Sequence, residues 1–295
     1  MKPKWLLEPD VFEENTIELL RTHLIGSGID VKIIPYIPFD DDLVDRCSKL
    51  YHPEDCVIFY GSLNFGRKLQ KLPWVPGVYL NEEAFKCTSY YPAIGDLLIH
   101  YDNFTMLPYG ILKDKKDQLI DQFGGERIFI RPNSGVKEFT GFVTNTHRFY
   151  DSIELAGFYD VEPDLLVLVA KAWDLQREWR FVVVDQRVIS GSLYRYWGET
   201  ADNYSSADYV LSHSRSMWEE CKDKQAWEIA EKCVEKYNPD RAWTIDVCQT
   251  AEEEYKILEI GCFSCAGMYG NDLGKIVEAV SKSALNEWNE YFNIE

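Results

Sequence analysis

A chain of 295 residues, 46% hydrophobic and 27% charged, carries enough apolar surface for one large domain or two to three smaller lobes without covalent staples. Its formal net charge of −18 opposes non-specific attraction to nucleic acid phosphates, and no uncharged apolar run reaches the length of a membrane span. Acids at Glu8, Asp10, Glu13 and Glu14 stand where a secretory signal needs apolar residues, so the eight cysteines are expected to be thiols and the location cytoplasmic.

The chain opens in βαβ order, with a strand over residues 5–7, a helix over about 12–24 stopped by Gly26 and Gly28, and a strand over 31–34. The apolar run 56–60, closed by Gly61, adds a strand, so residues 1–75 read as a small N-terminal α/β lobe. Prolines and a glycine between Pro73 and Gly77 mark a soft boundary, followed by aromatic-rich sequence without clear period until a helix near 113–123. Strands are expected over 127–132 and 165–170. A hairpin over 178–185 and 187–194 turns at Asp185 and Gln186. The polar stretch 198–214 reads as a loop or lid, and 217–237 has helical composition. Strands over 243–247 and 255–260 precede a terminal helix from about Asp272. The pattern predicts an α+β chain divided as 1–75, 76–170 and 171–295, with two subdomains after the lobe.

Asp246 stands near the end of one predicted strand and Glu259 near the end of the next, so antiparallel pairing would bring both carboxylates to one place. Magnesium on nucleotide phosphates takes a few such hard oxygens, although two ordinary strand-end acids on an acidic protein would read the same way. Glu178 and Arg180 alternate with Trp179 and Phe181 and so share a strand face, either as a surface ion pair or with Arg180 turned to a phosphate. Ser192 and Tyr194 repeat the polar alternation and would line the acceptor side.

Several motifs lead nowhere. The run from Gly61 to Lys68 has Arg67 where a phosphate-binding loop needs lysine. In Lys137-Glu-Phe-Thr-Gly141 the glycine comes one place too late for the KxxG of nucleic acid ligases. Cys262-Phe-Ser-Cys265 is a lone CxxC, and the five histidines form no spaced cluster.

The segments IFIRPNSGVKEFTGFV, EWRFVVVDQRVISGSLYR, TIDV and ILEIGCFSCAGMYGNDLGKIV, in this order over about residues 125–280, resemble the ATP-grasp ligases. More closely, they resemble a clade, known largely from bacteria and phages, in which arginine replaces the first phosphate-binding lysine. The resemblance implies a nucleotide gripped between two α+β subdomains, with ATP and Mg2+ as cofactors. It places Arg131, with Lys137 after the glycine loop, on the α and β phosphates. It assigns the backbone of the apolar strand around Val169 and Ala170 to adenine, with Lys171 as the second family lysine. Glu178 and Arg180 join the nucleotide site, Arg131 and Arg180 carry the catalytic charge, and Asp246 and Glu259 hold the metal. Family members show Glu-x-Asn at that metal site, whereas Gly261 here follows Glu259 and Ile260 and offers no side chain. The implied activity is a carboxylate-amine ligase working through an acyl phosphate, on small-molecule or peptide substrates. A catalytically weak ATP-binding regulatory protein and a phosphotransferase acting on another acceptor are the alternatives.

Overall fold

In the computed structural model, which describes residues 2–12, 15–40, 42–123, 127–135, 138–158, 160–196 and 218–293, the first strands form a parallel sheet. It contains β1 (Lys4–Leu7), β2 (Asp30–Ile33), β3 (Cys56–Tyr60) and β4 (Val75–Gly77) in the order β2-β1-β3-β4. The run Cys-Val-Ile-Phe-Tyr of β3 is buried throughout because both faces are covered, as expected of a parallel sheet. Helix α1 (Thr16–Gly26) lays Leu20 and Leu24 on this sheet. It ends where Gly28 takes φ +65 and Ile29 N–H returns to Leu24 O, a left-handed close that glycine adopts without strain. The short helices α2 (Leu43–Ser48) and α3 (Leu63–Leu69) pack on the opposite face of the sheet, against Leu6, Val57 and Phe59.

A second sheet, all antiparallel, has the order β5-β8-β6-β7. Its strands are β5 (Phe104–Pro108), β6 (Arg127–Pro132), β7 (Phe142–Asn145) and β8 (Leu166–Lys171), with α5 (Lys116–Gln122) and α6 (Phe149–Gly157) packed on it. The third sheet runs β11-β10-β9-β12-β13. It comprises β9 (Leu175–Val184), β10 (Arg187–Tyr196), β11 (Glu219–Glu220), β12 (Ala242–Thr250) and β13 (Tyr255–Cys262). The β9–β10 turn falls at Asp185 and Gln186, both at positive φ, which is the backbone a two-residue hairpin loop demands.

Alternation along β9 assigns its faces. Trp179, Phe181 and Val183 pack against α4 (Cys87–Ile94) and α7 (Lys224–Lys236), whereas Val182 and Val184 turn to the other side. There they meet α8 (Leu273–Tyr291), whose buried Leu273, Ile276, Val277, Val280, Ala284 and Trp288 repeat at helical spacing. Asp272 caps α8 by accepting from Lys275 N–H. The same helix packs on the parallel sheet, where Trp5 Nε1 donates to Ser281 Oγ at 3.0 Å, so the chain's last element locks the first sheet to the third. The polar end of this β9 face, Glu178 and Arg180, is left for the cleft.

Within the stretch 217–237, read as helical from composition, the described residues 218–237 instead give strand β11 and then α7, which begins where Asp223 accepts from Gln225 and Ala226 N–H. The stretch 198–214 lies outside the described residues. No helix among the described residues is long and apolar enough to cross a membrane.

Candidate active site

Three neighbouring strands bring the charges together. Asp246 on β12 stands opposite Arg180 on β9 and, on its other side, opposite Glu259 on β13. Neither acid ends a strand; β12 runs on to Thr250 and β13 to Cys262. Two bulges re-aim side chains here. On β13, Asp246 faces Glu259 while Val247 already faces Ile257, so Leu258 is the extra residue, and both Leu258 and Glu259 reach the cleft. On β10 the extra residue is Tyr194, between Leu193 and Arg195.

Arg180 grips Asp246 through two parallel bonds, Nε to Oδ1 at 2.7 Å and Nη2 to Oδ2 at 2.6 Å. Its Nη1 donates to Gly267 O at 3.2 Å, and its guanidinium carbon lies 5.6 Å from the Tyr194 ring and 5.1 Å from that of Tyr269. Burial works to lower the pKa of Arg180, but the charge of Asp246 and its hydrogen bonds hold it well above the usual value. Glu178 does not pair with Arg180. It accepts from Tyr194 Oη at 2.6 Å and from Arg195 Nη1 at 2.9 Å. Across the cleft, Arg131 on β6 sets Nη1 at 3.0 Å from Glu259 Oε2. Burial also opposes the charge on Arg131, yet its pKa stays well above the usual value, with the Glu259 carboxylate among the groups that sustain it.

These groups line a cleft of about 640 Å³ between the second and third sheets. The sequence-predicted Arg131, Glu178, Arg180, Asp246 and Glu259 all reach it, as does Tyr194. Ser192 is fully buried beside it, accepting from Gly270 N–H. Lys137 lies outside the described residues. Val169 and Ala170 do not line the cleft: both are fully buried in β8, which is paired with β5 on one edge and β6 on the other. Lys171 is exposed at the end of β8, with Nζ 4.3 Å from the Trp173 ring. The residues that line the cleft there are Trp173, Asp174 and Leu175, in the link between β8 and β9, and Arg127 Nη2 holds Asp174 at 2.6 Å.

Sequence reasoning also missed His100, Phe129 and Tyr269. His100 is buried and stacks on Phe129 with centroids 5.1 Å apart. Burial, and then the charge on Arg131, push its imidazole down to about 3, so it is neutral. No periodicity marks such a residue. It reaches the cleft because Ile99 N–H bonds Ile257 O, tying this loop to β13.

The model of the ATP-grasp domain, R2K clade family 2, matches residues 113–279, more than half of the chain. The chain belongs to this ATP-grasp family. Solved structures agree on the fold. D-alanyl-alanine synthetase A from Vibrio cholerae superposes with a TM-score of 0.61 at 14% identity, over 98% of this chain and 99% of that one. The D-cycloserine synthetase DcsG gives 0.60 at 11% identity, over 95% and 99%. The ATP-grasp ligase PsnB, solved with a minimal precursor, gives 0.56 at 12%, over 95% and 99%. No curated protein matches the chain.

Family membership makes this an ATP-grasp ligase with ATP and Mg2+ as its cofactors, and the cleft residues fit them. Arg131 and Arg180 supply cationic donors. Trp173 Nε1 and His100 Nδ1 are buried nitrogens without a hydrogen-bond partner among the described residues. Asp246 and Glu259 give the two hard carboxylates that a phosphate-bound Mg2+ uses. Arg180–Asp246 and Arg131–Glu259 are thus two adjacent pairs of a guanidinium with a carboxylate on the cleft wall.

Proposed function

We propose that this protein is an ATP-dependent carboxylate-amine ligase acting through an acyl phosphate. The observation that carries it is the rung Arg180–Asp246–Glu259 with Arg131 facing it from the opposite sheet. A substrate carboxylate attacks the γ-phosphorus and displaces ADP, and an amine then attacks the acyl carbon and expels phosphate. Arg131 holds the phosphate chain, and Arg180 stabilises charge on the transferred phosphoryl group. Glu178, fixed by Tyr194 and Arg195, holds the wall of the site. Asp246 and Glu259 hold Mg2+, which supplies charge neutralisation when bound. The link 173–175, not Val169 and Ala170, borders the nucleotide base, and Lys137 and Lys171 remain as further phosphate ligands. Residues 1–75 form the lobe, and 76–170 and 171–295 grip the nucleotide. Small-molecule or peptide-terminal carboxylates and amines are the substrates, in the cytoplasm.

Gly261 favours a second reading, an ATP-binding regulatory protein of weak turnover, because the family's asparagine ligand is missing there. Phosphate release from MgATP, assayed with a panel of amino acids and short peptides, separates the two. Stimulated release is expected, and Glu259→Gln should lower it about 100-fold. Nucleotide binding without release under any mixture would establish the regulatory reading instead.

A further inference from the structure

We infer that Tyr269 is a positioning residue for Arg180, an inference that rests on the nucleotide site proposed above. Tyr269 has φ +49, an outlying backbone for a bulky side chain, and such geometry persists only where the surroundings over-determine it. Those surroundings tie the loop to Arg180 and to the neighbouring strand β10. From the loop after β13, Gly267 O accepts from Arg180 Nη1 at 3.2 Å, and Asn271 Nδ2 donates to Arg180 O at 3.3 Å. Gly270 N–H and Asp272 N–H donate to Ser192 Oγ and Ser190 Oγ on β10, at 3.0 and 2.9 Å. A Cβ on Gly270 would stand 2.7 Å from the Trp218 carbonyl carbon, so the loop is pressed between two walls.

The Tyr269 ring is held in turn. It stacks on Tyr194 with centroids 4.6 Å apart and planes 10° apart, and it packs edgewise with Trp218 at 5.6 Å. Both tyrosine rings then abut the Arg180 guanidinium.

The chemistry gives this arrangement a purpose. Asp246 occupies two nitrogens of Arg180, and a carboxylate oxygen shared with magnesium would weaken that fork. Arg180 then needs support that survives the exchange. Attraction between a cation and an aromatic ring consumes none of the cation's N–H groups, so Tyr269 and Tyr194 keep Arg180 in place while its hydrogen bonds pass from carboxylate to phosphate. Tyr269 thus acts through Arg180 and not on the nucleotide.

The experiment is a double-mutant cycle read by calorimetric affinity for a non-hydrolysable ATP analogue with Mg2+, alongside a thermal melt. Tyr269→Asn removes the ring and tolerates left-handed backbone; Tyr269→Gly serves if that variant does not fold. Ring loss should weaken binding about tenfold in the wild-type background and less than about twofold beside Arg180→Lys. Tyr269→Phe should stay within about twofold of wild type. Equal losses in both backgrounds would overturn the inference, as would an unchanged affinity in folded Tyr269→Asn or an Arg180→Lys that binds normally. Wild-type protein that fails to bind the analogue would instead sink the nucleotide reading beneath it.

Discussion

Asp246 carries a different risk from Glu259, although they face each other on one rung. Its side chain is 3% exposed and takes both bonds of the Arg180 fork, whereas that of Glu259 is 25% exposed. Asp246→Asn leaves a buried guanidinium poorly compensated, a change that costs about 3–5 kcal/mol of stability when one member of such a pair is lost. Glu259→Gln is therefore the cleaner probe of chemistry. Arg131→Ala should weaken MgATP binding by about 1.5–3 kcal/mol, the worth of a charge-assisted hydrogen bond, measured by calorimetry. Unchanged affinity in the folded variant would remove Arg131 from the phosphate site. His100 makes a prediction about pH. Its folded pKa, about 3, lies below the unfolded value, so the native state binds fewer protons and stability falls as pH drops below about 6.5. Between pH 7 and pH 4.5 this group alone should withdraw about 2.5 kcal/mol. Urea melts of His100→Gln should show a smaller acid loss than wild type, and parallel losses would place the acid sensitivity elsewhere.

At the scale of strands, the site depends on register and on two bulges more than on residue type. Without the extra Leu258, Glu259 and Ile257 could not stand opposite Asp246 and Val247, and the second carboxylate would leave the rung. Gly261 sits one repeat further along β13, opposite Thr244, and it is not among the glycines at positive φ. An added Cβ there would meet Thr244 Oγ1 at 3.1 Å, close enough that this hydroxyl must shift by a few tenths of an ångström. Gly261→Asn should accordingly fold, lose about 1 kcal/mol or less, and tighten Mg2+-dependent nucleotide binding by restoring the family's ligand. Titration of Mg2+ at fixed ATP analogue checks this. Weaker magnesium dependence in a folded variant would show that the family pattern is the wrong guide at this position.

For the whole molecule, a ligand clamped between two sheets and bound only by the folded state stabilises by mass action. MgATP at a hundredfold excess over its dissociation constant should contribute about 2.7 kcal/mol and raise the melting temperature by about 5 °C. No shift at millimolar MgATP would count against an open, competent cleft. Much of this molecule was legible in one dimension. The period-two alternation of β9 set Glu178 and Arg180 apart from Trp179 and Phe181, the apolar run of β3 marked a strand, and Asp185-Gln186 marked the hairpin turn. The ordered segments over residues 125–280 disclosed the family, because local spacing is preserved along the chain. Which charges pair was not legible. Glu178 could as well have met Arg180, and only the antiparallel register of β9, β12 and β13 gave Arg180 to Asp246 and Glu178 to Arg195. A buried apolar run such as β8 looks the same in sequence whether its backbone is laddered or open, and its pairing on both edges is visible only in the fold. His100 and Tyr269 belong to loops without period, brought to the cleft by backbone N–H groups that donate to a β13 carbonyl and to two β10 serine hydroxyls far away in sequence. Periodicity records which face a side chain takes within its own element, while partners across elements are chosen by packing, which only the folded chain contains.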